Sequence, residues 1–168
     1  MGLDMYLYAY PKIGNMSFEE TVLLDNRLRG WCEEKDLSEE ERALIAPYIK
    51  KKGIYLMYET IATAVGYWRK ANQVHKWFVE NVQCGIDDCN AYEVTKENLI
   101  KLLETCQTAL VNREMAPDLL PATAGFFFGS ADYDRDYFMN LIETIRIIRA
   151  ALDLAKEKDM YFCYRSSW

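Results

Sequence analysis

The fold class predicted for this chain is α+β: an antiparallel sheet that includes the N- and C-terminal strands, packed by four to five helices. Three patterns predict it. Leu3, Met5, Leu7 and Ala9 alternate with Asp4, Tyr6, Tyr8 and Tyr10, the two-residue period of a half-buried strand. Met160 to Arg165 closes the chain with a similar alternation. Between these ends, apolar residues recur at helical spacing behind Ser and Thr caps. At 168 residues, with no repeat, low-complexity tract or linker, the chain is expected to form one domain over 1–168.

Pro11 and Gly14 end the first strand. Ser17-Phe-Glu-Glu20 has the form of a capping box and opens a helix carrying Val22, Leu23, Leu24, Leu28 and Trp31; Ser38-Glu-Glu-Glu41 repeats the signal before Ala43, Leu44 and Ile45. Lys50, Lys51 and Lys52 are expected to close that second helix, where cations suit the negative end of the helix dipole. The β-branched run Thr60 to Val65 predicts a strand.

From about Trp68 an amphipathic helix is predicted, with Tyr67, Ala71, Val74, Phe78 and Val82 on its apolar stripe. Trp68, Asn72, His75 and Val79 follow the border of that stripe. Arg69, Lys70, Gln73 and Lys76 fall on the solvent side, and so does Trp77, which must be covered by another element or act as a contact. A polar turn over 84–90 leads to a short strand at Tyr92-Glu-Val94 and a helix capped by Thr95 with core residues Leu99, Leu102, Leu103, Cys106 and Leu110. Ala116 to Pro121 breaks it. Gly125-Phe-Phe-Phe-Gly129 predicts a buried strand, and a last helix over about 132–156, capped by Ser130, carries Tyr137, Leu141, Ile145, Ile148 and Leu152. The first and last strands are placed in one sheet with the helices on one face.

A net charge of −6 argues against general binding to nucleic-acid backbone, which depends on clustered Lys and Arg. Twelve tyrosines exceed what a core needs, and such a surplus suits binding surfaces. The five cysteines have no paired spacing, the first residues lack a signal-peptide pattern, and no stretch approaches a membrane span; a cytosolic protein with reduced thiols follows. Cys84 and Cys89 are not followed by a second metal-ligand pair, and the acidic run Asp132, Asp134, Asp136 has Tyr137 where a calcium loop needs glycine. Neither a cofactor nor a metal is expected, and pairing of His75 with Cys84 or Cys89 as base and nucleophile has no local signature.

Several segments carry a resemblance: Met1-Gly-Leu-Asp-Met-Tyr-Leu7, Tyr67-Trp-Arg-Lys-Ala-Asn-Gln-Val-His75 with Trp77-Phe78, Asp88-Cys89 with Tyr92, Leu120-Pro121 with Gly125 to Gly129, Asp132 to Tyr137, and Ser166-Ser-Trp168. In that order they resemble a group of small, largely uncharacterised proteins encoded by bacteriophages and prophages. The resemblance implies a viral accessory protein in the host cytoplasm, and small acidic proteins of that kind often bind host components, immune nucleases and nucleotide messengers among them.

The function expected is therefore non-enzymatic counter-defence binding, either docking on a host defence protein or sequestering a nucleotide-like ligand. Its predicted site comprises Trp68, Arg69, Asn72, His75 and Lys76 facing Phe127 or Phe128, with Tyr133 and Trp168 nearby. Arg69 and Lys76 would hold an anionic group and the aromatics would stack on a base. Two alternatives are a small enzyme with His75 as acid/base and Asp132 to Asp136 as partners or magnesium ligands, and a virion structural or assembly protein.

Overall fold

The computed structural model describes residues 2–33, 36–52, 58–125 and 128–168. Strand β1 (Asp4–Pro11) is flanked by β4 (Thr63–Arg69) and β6 (Met160–Ser167), and short β5 (Tyr92–Val94) pairs with β6, so the antiparallel order is β4-β1-β6-β5. A separate hairpin joins β2 (Lys50–Lys52) to β3 (Tyr58–Thr60). Six α-helices are described: α1 (Phe18–Arg29), α2 (Glu39–Ile45), α3 (Asn72–Asn81), α4 (Lys96–Val111), α5 (Ala116–Leu119) and α6 (Arg135–Glu157). This is the α+β architecture that the terminal alternation predicted.

Caps set the helix starts. Ser17, Ser38 and Thr95 each accept from the backbone N–H three residues on and donate their own backbone N–H to the side chains of Glu20, Glu41 and Asn98. Gly30 ends α1 in the left-handed conformation, at φ 72°.

The helices do not lie on one face. Leu3, Met5, Leu7 and Ala9 meet Phe162, Tyr164 and the buried stripes of α3, α4 and α6 in the larger core. On the opposite side, Tyr10 and Cys163 join Phe18, Val22 and Leu24 of α1, Ile45 of α2, and Ile61. Tyrosine rings are apolar enough to be covered, so a strand that alternates aliphatic with aromatic can be buried on both sides. Helix α1 covers only the Tyr8 to Tyr10 end of that second face.

Four local expectations are corrected. Lys50 to Lys52 form exposed β2, because Pro47 stops the helix beforehand. The run Thr60 to Val65 divides at Ile61 and Ala62, where the Ile61 N–H is taken by Asp25 at 2.8 Å. Trp68 belongs to β4, paired with Met5, and α3 begins only at Asn72 after Lys70 turns the chain at φ 57°. Helix α6 starts at Arg135 under Asp134, whose carboxylate accepts from the Tyr137 N–H; Ser130 instead accepts from the Asp132 N–H. Gly125 and Gly129 pair through an isolated bridge, and the strand expected between them falls largely on Phe126 and Phe127, which lie outside the described residues.

Helix α3 is sunk into the protein. Gln73 and Trp77, expected toward solvent, are both buried, with Gln73 Nε2 donating to the Tyr137 carbonyl. Tyr67 leaves the expected apolar stripe altogether, since it points off the sheet and stays 47% exposed.

Candidate functional site

The start of α3 brings Trp68, Asn72 and His75 close together, each no more than 3% exposed. Their polar atoms are used inside the fold. Trp68 Nε1 donates to Thr144 Oγ1 at 2.9 Å. Asn72 Nδ2 donates to the Phe128 and Ser130 carbonyls, and its Oδ1 accepts from the Thr123 N–H, tying the 123–130 segment to the helix. His75 Nδ1 lies 2.7 Å from the Tyr164 hydroxyl and Nε2 lies 3.0 Å from Asp87 Oδ1. Burial pushes the His75 pKa below its ordinary value, against the opposing pull of Asp87. A neutral ring fits both bonds, with Nε2–H donating to Asp87 and Nδ1 accepting from Tyr164. Neither bond goes to Cys84 or Cys89, and burial pushes the Cys106 and Cys163 thiols up to about 12.

The remaining predicted residues are distributed around this buried centre. On one side His75, Lys76, Gly85, Asp87, Thr123 and Phe128 line a recess of about 390 Å³. The Phe128 ring is 5.4 Å from His75 and 6.4 Å from the half-exposed ring of Trp168. On the other side, Arg69 and Lys70 face Ser130, Asp132, Asp134 and Asp136 across about 350 Å³, a recess that His75 does not line. Asn72 borders both. Arg69 is drawn toward Asp4 at 3.4 Å and Lys76 toward Glu80 at 3.8 Å. Tyr133 accepts from the Ala122 N–H and packs on Tyr137. Phe127 lies outside the described residues.

A third recess, of about 430 Å³, occupies the end of the sheet that α1 leaves uncovered, lined by Tyr6, Tyr8, Arg29, Trp31, Tyr58 and Arg165 with Ser166 and Ser167. The register builds it: Tyr6 lies between Tyr67 of β4 and Arg165 of β6, so one residue of the central strand meets an aromatic and a cation side by side. Tyr6 stacks on Tyr8 at 5.8 Å and meets Tyr67 at 5.3 Å. The Arg29 guanidinium sits 4.5 Å from the Trp31 ring and 5.3 Å from Tyr8, while Arg165 lies 5.1 Å from Trp31.

Arg29 is fixed from below. Its Nε lies 2.7 Å from buried Asp25, and Nη2 donates to Thr60 Oγ1. Asp25 also accepts from Tyr10 and Thr60, so the aromatic floor rests on a bonded charge cluster. Arg165 donates from Nε to the Cys89 carbonyl and, among the described residues, has no carboxylate at ion-pair distance. Burial raises the Tyr6 and Tyr8 phenols, with Asp4 adding to the first and Arg29 opposing at the second, so both rings stay neutral.

None of the recess residues was singled out as a site from the sequence. The available signal was the row Tyr6, Tyr8, Tyr10 on the non-aliphatic side of β1, together with the tyrosine surplus. Trp31 and Arg165, 134 positions apart, carried no local signal at all. Among the described residues, no three His, Cys, Asp or Glu side chains are grouped to hold a metal, and no helix is long and apolar enough to cross a membrane. No family model, curated protein or solved structure matches the chain.

Proposed function

We propose that this chain is a non-enzymatic binding protein that takes a nucleotide-like ligand in the recess between Tyr6, Tyr8, Trp31 and Arg165. The observation that carries it is the pairing of partly exposed aromatic rings with a guanidinium that, among the described residues, has no carboxylate at ion-pair distance, in a volume of about 430 Å³ suited to a small ligand. A planar base would stack on the rings, and Arg165 with Ser167 would face its anionic group. Arg29 is already neutralised by Asp25 and supports the floor. The non-enzymatic part of this reading is supported by His75, whose two nitrogens are both engaged within the fold. The resemblance to phage accessory proteins supplies the setting, sequestration that counters a host defence.

A second reading uses the same face. Trp31 is 53% exposed, Tyr58 42% and Tyr67 47%, and Trp, Tyr and Arg are the residues that carry most energy in protein interfaces. Docking on a host protein would cover them.

Titration of the purified chain with nucleoside monophosphates and with the matching nucleosides, followed by tryptophan fluorescence, tests the first reading. Phosphorylated forms are expected to bind more tightly, and Arg165→Gln to weaken them roughly ten-fold or more, as loss of a charge-assisted hydrogen bond does. Tyr6→Ala should cost about 1–3 kcal/mol of stacking. Binding that survives both changes, or no binding by any nucleotide, rejects the site. Native mass spectrometry of protein from infected cells separates the readings: a retained small mass supports sequestration, and a retained host polypeptide supports docking.

A further inference from the structure

A cavity of about 610 Å³ lies at the opposite end of β1 from the aromatic recess, and nothing in the proposed function uses it. Its walls are apolar: Pro11, Pro47, Tyr48, Ile61, Leu154 and Met160. Four charged groups stand around them. Lys12 and Asp159 bond to each other at 3.0 Å and cancel. Lys50 and Lys158 do not: among the described residues neither has a carboxylate at ion-pair distance, and Lys50 reaches only the hydroxyl of Thr63.

Both ammonium groups stand exposed at the rim of one hollow, and among the described residues no carboxylate lies close enough to offset their like charge. Partial burial lowers the Lys50 pKa, and the nearby charges of Lys52 and Lys158 add to the effect. A net excess of two ammonium groups over an apolar hollow of this size is complementary to one kind of small molecule.

We propose that the cavity between Lys50 and Lys158 binds an amphiphilic anion, with its apolar body against Pro47, Ile61, Leu154 and Met160 and its head between the two ammonium groups. A carboxylate and a phosphate would satisfy the same pair, since lysine acts on either as a compact point charge. A neutral amphiphile fills the walls but leaves both cations unmatched. The site is independent of the nucleotide reading: Arg165 does not line it, and none of its lining residues is among the aromatic rings of the other recess.

The test is calorimetric titration of the full chain with decanoate, decyl phosphate and decanol. At least one of the two anions is expected to bind at one per chain and roughly ten-fold or more tighter than decanol, the worth of a charge-assisted contact. Which anion binds better names the head group. The double variant Lys50→Gln/Lys158→Gln should weaken the anion at least ten-fold and leave decanol unchanged, while Arg165→Gln should leave both unchanged. Both lysines are exposed at the rim of the cavity, so the double variant is expected to melt like the parent. The proposal is overturned if neither anion binds, if decanol binds as tightly, or if the double variant binds the anion unaltered.

Discussion

At the scale of single residues, His75 shows how an apparent catalytic group can be a structural one. An imidazole at a helix border looked like a candidate acid or base, yet the ring is held between Tyr164 and Asp87 and kept neutral by burial. The sign of its pH dependence follows from that. The folded pKa is depressed below the ordinary 6.5, so the unfolded chain binds the extra proton first; the contribution is complete above about 6.5 and is lost as pH falls toward the folded value. Thermal melts should therefore show stability falling below about pH 6.5, and His75→Gln should flatten that segment of the profile while lowering stability at neutral pH. An unchanged slope in the variant would assign the acid sensitivity to other groups. Asn72 makes the same point without a charge: an amide at the edge of a stripe turned out to fasten the 123–130 segment through three backbone groups.

At the scale of elements, β4 is the instructive one. Its register slips opposite Leu7 and Tyr8: Gly66 pairs with Leu7 and Ala64 with Tyr8, so Val65 is the extra residue of a bulge. Gly66 then faces Ile147 of α6 so closely that a Cβ would lie 2.2 Å from the isoleucine Cγ2. Because that methyl is attached at the branched Cβ it cannot swing aside, and the helix would have to move. Gly66→Ala is expected to cost about 1–3 kcal/mol in urea denaturation with the fold retained. Parent-like stability would mean α6 is not seated on the strand in this way. Periodicity had begun the helix at about Trp68 because the four-residue spacing of Tyr67 and Ala71 fits either period over so short a span, and pairing with β1 decided the matter.

At the scale of the whole molecule, β1 and β6 contribute side chains to both cores, one set to each side of the same sheet. Neither core can open without exposing the strands that build the other, so heat should unfold the chain in one transition, with an enthalpy of about 120 kcal/mol near 60 °C for a chain of this length. Two resolved calorimetric peaks would contradict that coupling. The aromatic recess and the lysine-flanked cavity occupy opposite ends of the sheet, so both depend on one scaffold but on no common residue.

The α+β class, the terminal strands and the capped starts of α1, α2 and α4 were legible in the residues themselves, because alternation and capping boxes are local properties that short range interactions enforce. What lies where was decided in three dimensions. Whether Trp68 lines a cleft or donates to Thr144, whether Trp77 meets solvent or core, and which tyrosines α1 leaves uncovered depend on elements far away in the chain packing against one another. The grouping of Trp31 with Arg165 exists only because β6 returns beside β1, and no pattern confined to one stretch of sequence encodes a partner 134 residues distant.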